Sequence, residues 1–560
     1  MASTFPDYSI PQPDLAATTA QYGEFHTRLA AAESAADCLA IVADWDALLC
    51  QFKEWASLTY IHFQQDTQNE SYKSAKDELD AIAPKYADLE TRFKQALLDS
   101  PFRSELEETL TPTLFAKWEC NTKSFASVIE DDMAAEAKLQ SEYTALTAAA
   151  EIEFEGEKFT ISELNKFGDD ADRELREGAY RANSKWFIDK APELDRIYDE
   201  QVALRQSMAV KLGYNNFTEL GYQRMTRIGY GPDEVAAFRD EVRDKVVPLA
   251  IEVAKKQKQT LGVEKLMFWD HCVHTVGGNP KPQGDHDWMV DRATEMFDEM
   301  GAGLGSFFGE MKARGAMDLK SRKGKAGGGF CDFLHQFEFP FIFANFNGTR
   351  GDVDVFTHEV GHAFQSYSSR NQPMSDIVWP TTEACEIHSM ALEFLTWPHM
   401  EKFYGEGAAE ELRRLHLSAY LQFLPYGVSI DHFQHMVYAN PEATPEERNE
   451  MWKEIERTYL PWWDYADLPA ESSGRLWQQK AHIYQCPFYY IDYCLALTGA
   501  LQFWSKSRTD AKGTLETYAE LCTRGGSKDY TGLLKSAGLR SPFEPGCLDE
   551  VIEDAKRYLA

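Results

Sequence analysis

The sequence contains no apolar run long enough to span a bilayer, so a helical integral membrane protein is not expected. The opening Met1-Ala-Ser-Thr-Phe-Pro-Asp has no basic stretch followed by an apolar core, so no secretory leader is expected either. The ten cysteines (38, 50, 120, 272, 331, 385, 486, 494, 522 and 547) include no Cys-x-x-Cys spacing. That argues against a cysteine-held zinc and against a disulfide framework, and points to reduced thiols in a cytoplasm. Basic charge is scarce: 57 Lys and Arg against 90 Asp and Glu leave a net charge of −33. Such a surface is unsuited to nucleic-acid phosphates. The stretch from Lys320 to Gly329 is basic and glycine-rich but lacks the Gly-Lys-Ser/Thr ending of a phosphate loop. A flexible loop at the border of a site is expected there. No internal repeat or low-complexity tract is present.

What is present is a chain of 560 residues, 44% hydrophobic and 26% charged, enough for a large core and more than one lobe. Residues 1–13 hold three prolines and are expected to form a loosely docked arm. From Leu15 to Ala150 the Ala, Leu, Glu and Lys content and the helical periodicity predict long antiparallel helices, separated at Pro101 and Pro112. Glu151 to Ile161 alternates polar and apolar residues around Gly156, a hairpin pattern. Leu212-Gly-Tyr-Asn-Asn-Phe marks a helix end, a turn and a new start. The aromatic run Phe337 to Thr349 predicts a strand, and the tail from Asp510 predicts helices.

The chemistry concentrates in Asp354-Val-Phe-Thr-His358-Glu359-Val-Gly-His362-Ala-Phe-Gln. On a helix each residue turns about 100°, so histidines four apart share a face and can reach one metal ion. Glu359 lies beside them, a carboxylate able to take a proton from a metal-activated water. Apolar Val355, Phe356, Val360, Ala363 and Phe364 flank the motif and predict a buried helix. Buried histidines and a buried glutamate need partners. A third ligand is expected from Pro380-Thr-Thr-Glu383-Ala-Cys-Glu386-Ile-His-Ser-Met-Ala-Leu-Glu393, where Glu383, Glu386, Met390 and Glu393 fall on one side of a mostly apolar helix. Two histidines and one glutamate leave a fourth zinc position open to water.

These residues resemble the oligoendopeptidase F branch of the thimet oligopeptidase family. So does the later run His482-Ile-Tyr-Gln-Cys-Pro-Phe-Tyr489-Tyr490-Ile-Asp-Tyr493. The resemblance extends from about residue 150 to the C-terminus and, more weakly, over the N-terminal helices. It implies a mainly α, two-lobed zincin-type peptidase, with a small β-sheet beside the zinc helix and a deep substrate channel. It implies an N-terminal helical region 1–145 and a catalytic zinc peptidase domain 146–560. One zinc would be held by His358, His362 and Glu386, the last chosen over Glu383 because it stands seven residues before Glu393. Glu383 and Glu393 would orient the histidines. Glu359 would be the general base, and His482, Tyr493, Tyr490 and Tyr489 would supply hydrogen bonds to the oxyanion. A glycine-rich loop of the mammalian-type members is replaced here by Ile-Tyr-Gln-Cys-Pro487, which suggests a stiffer loop. The strand before the zinc helix would pair through an open edge with a peptide backbone, at Ala344, Phe346 and Gly348. The implied activity is endopeptidase cleavage of short oligopeptides. A zinc carboxypeptidase and an inactive peptide binder are the alternatives.

Overall fold

The computed structural model describes Phe5 and residues 8–560. Part of the expected arm 1–13 lies outside the described residues. The rest is docked rather than loose: Phe5 stacks on Phe341 at 4.1 Å and Tyr8 on Phe337 at 3.7 Å between ring centroids. The protein is mainly α-helical, with small sheets only. No helix among the described residues is long and apolar enough to cross a membrane.

Packing divides the chain into two compact units, each discontinuous in sequence. Unit 1 is residues 1–122, 281–406 and 499–541; unit 2 is 123–280, 407–498 and 542–560. This grouping differs from the sequential division at 145/146, because the first helices close a core with segments more than 250 residues away.

In unit 1 the helices Leu15–Ala30, Ala35–Gln65 and Glu70–Leu98 start on Asp14, Ser34 and Asn69. Each of those side chains accepts a hydrogen bond from a first-turn N–H that would otherwise lack a partner. Their apolar faces meet around Trp45, Phe93, Leu97 and Trp118, and Met374 and Ile377 join the same cluster. Truncating a fully buried ring such as Phe93 to Ala would cost about 3–5 kcal/mol.

A hairpin in unit 2 comes first among the strands. β1 (Ile152–Phe154) and β2 (Glu157–Phe159) pair antiparallel, with Ile152 opposite Phe159. Glu155 and Gly156 turn the chain at φ 50° and 79°, where a glycine avoids the Cβ penalty. The sheet of unit 1 has three strands: β3 (Met317–Lys320), β4 (Phe330–Leu334) and β5 (Phe339–Phe346), in the order β3-β5-β4. β5 is therefore central, parallel to β3 and antiparallel to β4.

Unit 2 is built around the helix Arg173–Lys211. It ends before Gly213 (φ 87°), and Asn216 caps the next helix, Phe217–Arg224. Arg205 on the long helix is fully buried. It donates to Glu136, to the Tyr438 hydroxyl and to the carbonyls of Ile483 and Tyr484. Gln201 adds a bond to the Tyr484 carbonyl and Gln140 one to the Gln485 carbonyl. A helix as short as Ala481–Gln485 leaves its C-terminal carbonyls unsatisfied. These three side chains satisfy them and fix the segment that carries His482.

Candidate functional site

The helix Arg350–Ser368 carries His358, Glu359 and His362 in unit 1. Its start is set by Asp352, whose carboxylate accepts the Asn347 and Gly348 N–H groups. The two imidazole rings lie 5.0 Å apart, as the four-residue spacing predicts. The second helix, Thr382–Leu395, is buried along almost its whole length. The two helices touch backbone to backbone at Gly361: a Cβ there would stand 2.6 Å from Ser389 Cα and 2.7 Å from the His388 carbonyl oxygen. Only glycine permits this approach. It brings Glu386 Oε2 to 3.3 Å from His358 Nε2 and 3.5 Å from His362 Nε2. Potential ligand atoms of His358, His362 and Glu386 thus lie within 4.8 Å of one another. Glu383, fully buried one turn earlier, is outside this group.

His358 Nδ1 lies 2.8 Å from Glu393 Oε1. A carboxylate accepts, so Nδ1 carries a proton, which leaves Nε2, on the Glu386 side, as the nitrogen to face a metal. Burial disfavours a charged His358 ring, but Glu386 and Glu393 outweigh it and hold its pKa well above the ordinary value. Burial likewise opposes ionisation of Glu386, and the two histidines overcome it, keeping that carboxyl well below its ordinary range. Glu359 is 6% exposed, and its Oε2 has no hydrogen-bond partner among the described residues. Burial raises its pKa, and the two histidines oppose that rise. Gly329 sits against it: a Cβ at that position would come within 3.3 Å of Glu359 Oε1. Two nitrogens, one carboxylate and an orphaned buried oxygen beside them fit a divalent cation and a water.

β5 is the central strand, but its β4 ladder covers only Phe339 to Phe343; Ala344 and Phe346 lie beyond that ladder, with Phe346 opposite Lys320 of β3, and Gly348 lies past the end of the strand. The Ala344 carbonyl accepts from Lys325 Nζ at 2.6 Å, Phe346 packs edge-on against Phe356, and the Gly348 N–H serves Asp352. The edge nearest Glu359 belongs to β4, which follows Gly329 directly. The glycine-rich loop borders the site as expected, but it is tied down. Ala326 N–H donates to the Gln64 carbonyl, Thr67 N–H to the Gly324 carbonyl, and Asn345 to the carbonyls of Ala326 and Gly328.

In unit 2 the structure brings His482, Tyr489, Tyr490 and Tyr493 into one cluster. The His482 ring stacks on Tyr489 at 5.8 Å and meets Tyr490 and Tyr493 edge-on at 5.1 and 6.0 Å. Tyr489 and Tyr490 precede the helix Ile491–Ser507, and Phe488 turns the chain at φ 67°. That strained residue is held at both ends: its N–H donates to Gln434 Oε1 and its carbonyl accepts from Arg227, which also pairs with buried Asp492. Burial lowers the His482 pKa, with nearby Lys480 adding to the effect. The ring is therefore neutral at pH 7 and keeps one N–H donor.

Sequence reasoning missed Gly361, Gly329 and Arg227. For Gly361 a signal existed, since glycine inside a helical pattern suggests close packing. Gly329 and Arg227 act through contacts distant in sequence. A cavity of about 750 Å³ lies in unit 2 beside Gln257, His274 and Arg414 and shares no residue with either group.

Comparison with known proteins agrees with this geometry. The family model described as Peptidase M3 N-terminal domain matches residues 5–125, and that of Peptidase family M3 matches 167–276 and 281–551. The curated Oligopeptidase PepF of Bacillus subtilis (strain 168) is 20% identical over 346 residues, 59% of this chain and 50% of the relative, so the match spans about half of that protein. The solved structure of PZ peptidase A with an inhibitor superposes with a TM-score of 0.94 at 42% identity, covering 99% of both chains. An oligoendopeptidase F assignment from Bacillus anthracis str. Ames gives 0.89 at 41% identity, covering 100% of this chain and 98% of the other. The family models cover most of the sequence and the structural likeness runs end to end, so the chain belongs to peptidase family M3, in its oligoendopeptidase F branch.

Proposed function

We propose that this protein is a zinc metalloendopeptidase that hydrolyses internal bonds of short oligopeptides. The observation that carries the reading is the convergence of His358, His362 and Glu386 next to Glu359, whose buried Oε2 has no partner among the described residues. A bound zinc ion supplies Lewis acidity, polarising the scissile carbonyl and acidifying a water. Glu359 takes the proton from that water as its oxygen bonds to the carbonyl carbon, and delivers it to the amide nitrogen as the C–N bond breaks. Glu393 fixes the His358 tautomer throughout. The peptide backbone is read along β4 beside Gly329, a main-chain contact that requires no particular side chain and suits broad specificity. The resemblance assigns oxyanion hydrogen bonds to His482 and Tyr493, with Tyr490 and Tyr489 packed around them. The neutral, ring-packed cluster supports that assignment. The free cysteines support a reducing, cytoplasmic setting.

An internally quenched peptide capped at both ends tests the reading. Cleavage that chelation abolishes and stoichiometric zinc restores is the expected result. A protein that cuts only uncapped peptides from the C-terminus is a carboxypeptidase. One that leaves both intact but binds them is a peptide binder.

A further inference from the structure

Four deeply set lysines of unit 1 each meet oxygen. Lys53 pairs with Asp376 at 2.6 Å, Lys94 with Glu90 at 2.5 Å and Lys325 with Asp318 at 2.9 Å; Lys117 donates to the carbonyls of Asp376 and Trp379. Lys480, in unit 2, has no hydrogen bond or ion pair to any described residue. Its Nζ stands 5.0 Å from the centre of the Tyr426 ring, a cation–π contact that accounts for only part of its solvation. The side chain is half-buried, so part of its surface remains open to solvent. Burial pushes its pKa down to about 8, so it is still mostly a cation at neutral pH.

The Cys272 thiolate raises the Lys480 pKa, but it is shared with His271. The Cys272 sulfur lies 3.1 Å from His271 Nε2, and His271 Nδ1 lies 2.5 Å from the Phe268 carbonyl. A carbonyl only accepts, so Nδ1 is protonated and Nε2 shares the Cys272 proton. Thiol with imidazole, or thiolate with imidazolium, is neutral overall in either case. Tyr426, 9% exposed, has a hydroxyl that is also without a hydrogen-bond partner among the described residues. Its ring contacts Tyr490 at 5.9 Å, so this unpaired cation adjoins the His482 cluster. A buried unpaired charge is costly, and proteins keep one where a ligand supplies the partner.

We propose that Lys480 is a substrate-binding residue that holds a carboxylate of the bound peptide, either its C-terminus or an acidic side chain. The proposal rests on the reading of the His482 cluster as peptide-binding surface. Lys480 precedes His482 by two residues. A carboxylate one or two peptide residues from the His482 contact, roughly 3.3–3.6 Å each, comes within its reach. An endopeptidase with such a lysine favours short peptides whose chain ends, or carries an acid, at a fixed distance from the cut.

Binding of labelled peptides is measured on Glu359→Gln protein, which does not depend on turnover, with and without Lys480→Met; methionine keeps an aliphatic stem on Tyr426. Each peptide is prepared as free acid and as amide, and in a second series with Glu or Gln at successive positions. One carboxylate form is expected to bind about tenfold more tightly than its neutral counterpart, and Lys480→Met to abolish that preference while leaving affinity for the neutral peptide within a few-fold. The series that shows the preference identifies the carboxylate. Equal binding of acid and neutral peptides in both series overturns the proposal, as does a preference that survives Lys480→Met. Thermal unfolding provides a second readout: a lysine with an internal partner loses stability on replacement, whereas this one should not. Cleavage of a capped peptide by the wild type is scored separately, so failure of the peptidase reading is distinguished from failure of this one.

Discussion

The metal group of unit 1 and the aromatic group of unit 2 are held by different forces. His358, His362, Glu386 and Glu393 are fixed by charge and hydrogen bonds in a buried setting, each partner shifting the protonation of the next. His482, Tyr489, Tyr490 and Tyr493 meet mainly through ring edges and faces, and the backbone beneath them is pinned from outside by Arg205, Gln434 and Arg227. The first arrangement concentrates charge for a cation and the second keeps neutral donors. Changes in the first should therefore alter metal occupancy or proton transfer. Changes in the second should alter turnover at full metal occupancy.

The largest effect is expected at Glu359. Glu359→Gln keeps the shape and cannot accept a proton, so kcat should fall by two to four orders of magnitude, roughly, with zinc content unchanged. Substantial kcat in a zinc-loaded variant would remove Glu359 from the reaction. Next come the carboxylates of the second helix. Losing an outer partner typically costs about 10–100-fold in metal affinity, which is the expectation for Glu393→Gln. Glu386→Gln should cost more than that and Glu383→Gln less. Zinc titration of the three variants ranks them, and a larger loss at Glu383 would transfer the ligand role to it.

Tyr493→Phe tests the other side of the comparison. If its hydroxyl supports the oxyanion, kcat falls by about two orders of magnitude with little change in KM and full zinc occupancy. A variant within a few-fold of wild type in kcat and lower in stability makes Tyr493 a packing residue of the cluster.

Much of this was legible in the sequence for physical reasons. A four-residue spacing returns side chains to one helical face wherever the helix lies, so His358 and His362 were placed by local geometry alone. The hairpin at Gly156 and the turn at Gly213 follow from the same local rule. Glu386 was separated from Glu383 only by resemblance, because both sit at helical spacing and the choice depends on how the two helices cross. The meeting of His482 with the three tyrosines depends on a turn at Phe488 held by residues far away in sequence, which no periodicity encodes. The strand at Phe339–Phe346 was found, but its central place between β3 and β4 was not: a strand's neighbours are decided by chain topology, and the β4 ladder stops at Phe343.

Two glycines give the finest test of the comparison, since each allows one close approach between helices. At Gly361 an added Cβ would meet Ser389 Cα at 2.6 Å and the His388 carbonyl at 2.7 Å. Both are backbone atoms that cannot rotate away, so the second helix must shift, and Glu386 moves with it. Gly361→Ala should cost about 1–3 kcal/mol of stability and weaken zinc binding as well. At Gly427, on the helix Glu406–Ala439, the added Cβ would meet the Cys494 sulfur, a side-chain atom beside Tyr493. The thiol can turn, so Gly427→Ala should be milder, lowering kcat by a few-fold while zinc affinity stays at the wild-type value. Thermal unfolding, zinc titration and kcat on a quenched peptide, measured together, separate the two. If Gly361→Ala binds zinc as tightly as wild type, the close approach does not set the Glu386 position. If Gly427→Ala loses zinc in step with activity, the division between a metal group and a metal-independent aromatic group fails.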